Sequence, residues 1–478
     1  MPTSPDRRYD CGFLSAILPV DRVTMESSRL EQYSQDASNQ HEPAMPDAVV
    51  WPHTAEEVAA VLSAANERGV PVTPWSGGSG LEGNAIPVAG GIVCNTYEMT
   101  DVSVHPDDLQ AVVGAGVVYD DLNAELASHG LRFPPGISSG EVATIGGMVA
   151  TNASGFNAVG YGETRDSVHR LEVVLPDGRI IECGRNVVKT SSGYSLKDLF
   201  VGSEGTLGVV TEATLGLVGL PAEKRAAVVT FPSPHDACRA VSEIIRFGLR
   251  PGALEFVDAF SIEAINAYSD GADLPVAPTL IIELHANNSG IDEDVAFARG
   301  ICEDNGAATW EAADESEMAD VWRARRDANP ALHNWRAGWD MAMPGDVVVP
   351  ISRYPELIDF VNETADELDL VCSNMGHAGD GNLHYTPIVE VADAEMQARA
   401  EELNRRVVDF TIDLGGTITG EHGVGLGKRK FMAAEHGTAL SVMRQIKDTL
   451  DPNGIMNPGK VLPERNENGN GDGDVDGD

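Results

Sequence analysis

Basic side chains are scarce in this sequence. Thirty-three Lys and Arg stand against 74 Asp and Glu, a formal net charge of −41 over 478 residues. A surface of that sign repels nucleic acid and anionic lipid, so neither is expected as a partner held by charge. Self-repulsion of that size must be screened. Its simplest cause is a halophilic protein, kept soluble at high salt by solvated carboxylates. The acids are spread along the whole chain, which argues against a dedicated cation-storing segment. Cysteine is scarce as well. Cys11, Cys94, Cys183, Cys238, Cys302 and Cys372 stand far apart without a CxxC pair. That excludes zinc-ribbon, Fe–S and haem-attachment spacings and fits inert core thiols in a reducing cytoplasm. No charged start precedes an apolar run, no segment approaches a membrane span, and no internal repeat is apparent. The reading is a soluble cytoplasmic protein, for which any membrane contact would be peripheral, at the inner face.

What is present is a long chain with an ample apolar interior, 42% hydrophobic, which calls for two or three domains. Its most informative stretch is Met375–Tyr385, MGHAGDGNLHY. Gly379, Asp380, Gly381 and Asn382 between His377 and His384 predict a tight turn between short strands, which brings both imidazoles back toward one point. A second glycine-framed stretch, Thr419–Gly425, holds Glu421 and His422. Two His and one Glu leave an open position, the ligand count of a catalytic metal site. His422 is left over as a base. Spacing alone favours ordinary loop histidines; the adjacent Glu and His in another glycine frame shift the balance toward a metal.

In chain order, residues 1–45 read as a helical arm with an apolar patch at Phe13–Val20. Thr54 and Glu57 form a helix cap, the helix runs through Val58, Val61, Leu62 and Ala65, and Gly69 stops it. A strand at Val70–Pro74 leads into the loop Ser76, Gly77, Gly78, Ser79, Gly80. Bare N–H groups there suit a pyrophosphate. Gly83, Asn84 and Pro87 follow, so no helix does, and the dinucleotide-fold fingerprint fails. On this loop alone a structural turn serves equally well. Strands are expected at Gly91–Asn95 and Ala111–Val117, a helix at Val118–His129, and a hairpin from Leu171–Leu175 to Arg179–Cys183. The uncharged run Thr144–Gly155 implies close backbone approach to something flat or bulky. Gly202–Gly208 leads into a strand at Val209–Leu217. Beyond Gly219 strands and helices alternate, as at Ala226–Phe231, Asp236–Phe247, Thr279–His285 and Ile291–Asn305.

Together Thr144–Gly155 and Val201–Gly208 resemble the flavoprotein superfamily of vanillyl-alcohol oxidase (PCMH) type. GHAGDGNLH, TGEHGVG and Met456–Val461 carry the closest likeness, to the FAD-linked D-lactate dehydrogenases and glycolate oxidase large subunits. Asp346–Arg353 resembles the D-lactate branch. The resemblance implies an α+β fold: an FAD-binding domain with two small sheets at 46–220 and an α+β cap domain on an antiparallel sheet at 221–425. A helical segment at 426–465 would return to the FAD domain, and 466–478 would be a disordered acidic tail.

The implied reaction is oxidation of a D-2-hydroxy acid, D-lactate favoured, to the 2-oxo acid. Hydride passes to flavin N5, and His422 takes the hydroxyl proton at an imidazole pKa near working pH. A divalent metal (Zn, Mn or Fe) on His377, His384 and Glu421 would polarise the hydroxyl. Arg325 is the expected carboxylate clamp, with Arg323 and Arg326 pairing surface acids. Met343–Gly345 lacks the lysine of the 2-hydroxyglutarate relatives, which counts against a second-carboxylate substrate. For FAD, Ser76–Gly80 would hold the pyrophosphate. Thr144, Gly147, Asn152, Ser154 and Gly155 would line the flavin and ribityl chain, Glu204, Gly205 and Val210 the adenine side, and Asn457 and Lys460 would close over the ring. No histidine lies in Ser76–Gly80, so the FAD is expected to be noncovalent. Electrons must leave to a quinone, a carrier protein or cytochrome, a dye or oxygen. The alternatives are a glycolate oxidase subunit of GlcD type, a redox-neutral lyase of the alkyl-glycerone-phosphate synthase type, and a non-catalytic acidic cation-binding protein.

Overall fold

The computed structural model describes residues 8–464 apart from 39, 288 and 314. The expected acidic tail, 466–478, lies outside the described residues.

The helix Ala55–Arg68 forms where its cap requires. Thr54 accepts from the Glu57 N–H, Ala55, Val58, Val61, Leu62 and Ala65 are buried along one stripe, and Gly69 ends it at φ 62°. It joins two parallel members of a four-stranded sheet ordered Val23–Thr24, Ala48–Val50, Ile92–Asn95, Val72–Trp75. The expected N-terminal arm is therefore no separate arm. Val23 and Thr24 pair with Val50 and Val49, and Leu14 and Leu18 are buried in the same core. Burying two leucines there stabilises by about 1.5–3 kcal/mol each, which gives an otherwise polar segment a reason to dock. The far end of the chain closes the other edge. The Val72 N–H reaches the Ile455 carbonyl at 2.7 Å, and the Asn457 N–H reaches the Val72 carbonyl at 2.8 Å.

A second, five-stranded antiparallel sheet runs Val102–His105, Gln110–Gly114, Val209–Gly216, Val168–Val174, Ile180–Gly184. Its last two strands are the expected hairpin, turned at Gly178 with φ 84°. Thr144 caps a helix, Ile145–Thr151, inside the small-residue run, accepting from the Gly147 N–H. Ile145, Met148 and Val149 face the sheet core, and the glycines between them keep the opposite face bare.

The third sheet is antiparallel and eight-stranded. Its main path is Thr309–Ala313, Glu223–Thr230, Thr279–Ala286, Ala253–Val257, Val371–Gly376, Asn382–Glu390, Trp339–Met341, with Val347–Val348 pairing Asn382–Glu390 off that path. Alternation buries both faces. Leu280, Ile282 and Leu284 pack under helices that include Pro234–Arg246 and Tyr354–Glu367, whereas Ile281 joins the core of Ala259–Tyr268 and Ala328–His333. The same period directs Tyr385 into the first of these cores while His384 and Thr386 line a cavity.

Candidate active site

The Met375–Tyr385 hairpin forms as its composition dictates. Strands Val371–Gly376 and Asn382–Glu390 pair with Met375 opposite His384. The turn closes at Gly381, φ 86°, where a Cβ would lie 2.2 Å from the Val349 carbonyl oxygen. The His377 and His384 rings stand 5.2 Å apart.

The second glycine-framed stretch has no regular structure of its own. Two buried carboxylates hold it. One oxygen of Asp346 accepts the backbone N–H groups of Gly420, Glu421 and His422 at 2.9, 3.0 and 3.0 Å and the Thr419 hydroxyl at 2.8 Å. Lys428 Nζ lies 3.3 Å from the same oxygen. Burial alone would raise the Asp346 carboxyl, but Lys428, the nearby imidazoles and these N–H groups hold it well below the usual carboxylate range. Glu204, at φ 51°, accepts the N–H groups of Val424 and Gly425 at 2.7 and 2.9 Å and the Asn84 amide at 2.6 Å.

So held, the loop places Glu421 between the histidines. Glu421 Oε1 lies 3.3 Å from His377 Nε2 and 3.3 Å from His384 Nε2. Burial would raise this carboxyl too, yet the two imidazoles keep it far below its ordinary value. His422 stacks on His384, ring centroids 5.2 Å apart and planes within 7°. Its Nε2 is 3.9 Å from Glu421 Oε1, and its Nδ1, without a hydrogen bond, is 3.9 Å from Glu82 Oε1 and 4.0 Å from Asp346 Oδ2. Burial pushes His422 down to about 4, not near neutrality as its free imidazole would suggest, so it is uncharged at neutral pH. Burial raises Glu82 to about 7 even beside Lys428, at 3.3 Å.

These donors suit a metal. The ligand atoms of His377, His384 and Glu421 lie within 4.8 Å of one another, and imidazole with carboxylate serves Zn, Mn or Fe. The ligand atoms of Asp346, His384 and His422 also lie within 4.8 Å of one another. There, however, one Asp346 oxygen is taken by N–H donors and Lys428 and the other by the Asn382 amide at 2.7 Å, which leaves the first trio as the better fit.

The trio opens into a cavity of about 660 Å³. Ser76, Gly77, Gly78, Ser79, Gly80, Thr144, Gly147, Ser154, Glu204, Gly205, Val210, Arg325, His377, His384, Glu421 and His422 all line it. Four residues expected at the cofactor do not. The Asn152 amide is spent on Glu163 at 2.5 Å and the Arg165 N–H at 2.9 Å, capping its helix at φ 55°. Gly155 backs onto Gly136, whose oxygen would be 2.0 Å from a Cβ. The Asn457 amide donates to the Asn84 and Glu204 carbonyls at 2.9 and 2.7 Å. Lys460 is buried against the Ile86 carbonyl, and burial lowers it to about 8. Glu204 lines the cavity, but both its carboxylate oxygens are taken by the loop.

Arg325, near the end of the helix Glu315–Arg326, faces the cavity and lies 2.9 Å from Glu255 Oε2. Arg323 pairs Asp320 at 2.8 Å as a surface arginine should. Arg326 is exposed, as expected, and its charge acts on Asp120, but it also lines the cavity, with Asn329 and His333. Sequence reasoning also missed Glu255. Its other oxygen meets His377 Nδ1 at 2.7 Å, and it is 1% exposed.

Residues 46–184 match the FAD binding domain and residues 220–461 the C-terminal domain of FAD linked oxidases. The second match alone spans half the chain. The chain belongs to the FAD-linked oxidases. It is an FAD-linked oxidoreductase. Over 489 residues it is 39% identical to a probable mitochondrial D-lactate dehydrogenase of Danio rerio, covering 96% of both chains. It is 38% identical over 415 residues to a D-lactate dehydrogenase of Archaeoglobus fulgidus, covering 87% of this chain and 91% of that one. The glycolate oxidase subunit GlcD of Bacillus subtilis is 35% identical over 434 residues, 90% and 92% covered. In structure it resembles alkyldihydroxyacetonephosphate synthase (TM-score 0.76, 20% identity, 95% of this chain and 86% of that one). It equally resembles p-cresol methylhydroxylase with substrate bound (TM-score 0.76, 18% identity, 94% and 96%). These two likenesses establish the PCMH-type fold.

Proposed function

We propose that this chain oxidises a D-2-hydroxy acid, D-lactate favoured, to the 2-oxo acid. The observation that carries the reading is the convergence of His377 and His384 Nε2 on one oxygen of Glu421, at 3.3 Å each, inside the cavity that the Ser76–Gly80 loop also lines. Relatives named D-lactate dehydrogenase at 38–39% identity support it.

FAD, held noncovalently along Ser76–Gly80, Thr144, Gly147, Ser154, Glu204, Gly205 and Val210, supplies a hydride acceptor when bound. A divalent cation, which His377, His384 and Glu421 would hold, would supply Lewis acidity. The remaining work belongs to side chains. Arg325 binds the substrate carboxylate with a planar fork that fixes the face presented to the flavin. His422, uncharged, takes the hydroxyl proton at Nε2, the nitrogen on the Glu421 side. The Asp346 carboxylate, 4.0 Å from its Nδ1, stabilises the imidazolium so formed. FAD, when bound, would also hand the electrons on to an outside acceptor such as a quinone or a cytochrome.

The test is anaerobic mixing of the flavoprotein with D-lactate, L-lactate and glycolate while following flavin absorbance. Rapid bleaching by D-lactate alone is expected. Faster bleaching by glycolate would favour the GlcD-type reading, which the Bacillus subtilis relative supports. No bleaching by any hydroxy acid would leave a redox-neutral flavoenzyme on the same fold.

A further inference from the structure

Glu255 sits in the middle strand of a rigid neighbourhood. Ala253–Val257 pairs with Thr279–Ala286 on one side and, through Phe256 and Val257, with Gly376 and Met375 on the other. From that strand its two carboxylate oxygens diverge. Oε1 meets His377 Nδ1 at 2.7 Å, and Oε2 lies 2.9 Å from Arg325 Nη2. The carboxylate is 1% exposed, so water does not dilute either contact. A carboxylate on the far nitrogen of a ligating histidine fixes its tautomer and strengthens its ligating nitrogen. A carboxylate beside a guanidinium fixes where the fork points. Here one group does both.

We propose that Glu255 is a positioning residue that couples the metal site to the substrate-carboxylate clamp, so that the charge it gives to Arg325 is withheld from His377. The inference rests on the metal and clamp roles proposed above. Its consequence is that Arg325, which is no ligand, tunes metal affinity through Glu255. Removing the guanidinium leaves the carboxylate wholly to His377 and tightens the metal. Removing Glu255 weakens the metal and frees the arginine fork from its brace.

The experiment is a double-mutant cycle on Zn(II) affinity, measured on the FAD-loaded proteins without substrate by competition with a chromophoric chelator. E255Q is expected to weaken Zn(II) by about 10- to 100-fold. R325Q is expected to tighten it about fivefold in the wild-type background and less than twofold in the E255Q background. At saturating Zn(II), E255Q should raise KM for D-lactate more than it lowers kcat. Equal effects of R325Q in the two backgrounds would mean that the guanidinium acts on the metal by its charge alone, and would overturn the coupling. So would an R325Q variant with unchanged affinity. If E255Q does not retain FAD, E255D, which keeps the charge but shortens the reach, takes its place with the same expectations. A failure of the metal reading looks different: H377A and E421A would then take up Zn(II) as well as the wild type does, and this inference would fall with its foundation.

Discussion

One oxygen of Asp346 receives the backbone N–H of Glu421 at 3.0 Å, together with those of the residues on either side. A carboxylate 0% exposed thus sets the position of the central site carboxylate without touching the cavity that it serves. Replacing Asp346 by Asn removes the charge that binds three N–H dipoles and leaves Lys428 buried opposite Glu82 alone. D346N is expected to cost about 3–5 kcal/mol in urea unfolding, as when one partner of a buried pair is removed. Its metal content should fall with the stability. Normal metal uptake by D346N would show that the loop holds its shape without that anchor.

His422 is the proposed base, and its replacement should act on the chemical step. H422Q is expected to slow anaerobic flavin reduction by D-lactate by about 10²- to 10⁴-fold, with Zn(II) and FAD content unchanged. A rate within a factor of a few of wild type would move the base elsewhere.

Arg325 is asked to bind the substrate equally before and during reaction. R325K keeps the charge but loses the fork, so KM for D-lactate should rise by on the order of 100-fold while kcat changes little. A fall in kcat at constant KM would contradict a binding role.

Glu283 carries a clear pH signature. Burial would raise its carboxyl, but His285, Lys224 and the Trp322 N–H hold it at about 2 against an ordinary 4.5. A depressed folded value stabilises above the unfolded pKa, and the gain is lost as pH falls from about 4.5 toward 2. The difference is worth on the order of 3 kcal/mol. Urea unfolding of E283Q should therefore show lower stability than wild type at pH 7 and a shallower decline below pH 4.5. Parallel wild-type and variant curves across that window would refute it.

The charge balance predicts a salt response. Screening shortens from about 10 Å at 0.1 M to about 3 Å at 1 M salt, and a chain of net charge −41 gains by it. The melting temperature should climb steadily from 0.1 to 2 M NaCl. A flat or falling curve would remove the high-salt reading.

The sequence revealed site parts wherever backbone geometry demanded special residues. The Gly381 turn, the Thr54 cap and the bare glycine loop at Ser76–Gly80 each have a local physical cause, visible within a few residues. The anchors were not legible. Asp346 acts 74 residues from Gly420, Glu255 122 from His377, and Glu204 220 from Val424. Glu204 was read as a cofactor contact and Asp346 only as the start of a family-like stretch, and in a chain holding 74 acids nothing local marks any of the three as an anchor. Asn152, Gly155, Asn457 and Lys460 show the converse. Their types fit a cofactor wall, but capping, close packing and buried carbonyls absorb them.

The strip Ile455–Asn457 lies against Val72, beside the loop that begins at Ser76. A ribosome delivers the glycine loop, the capped helix and both small sheets long before it delivers that strip. The strand that leads into that loop therefore lacks its edge partner until residue 457 has been made. Cofactor capture is expected to wait for that strip, and a protein truncated near residue 450 should emerge colourless.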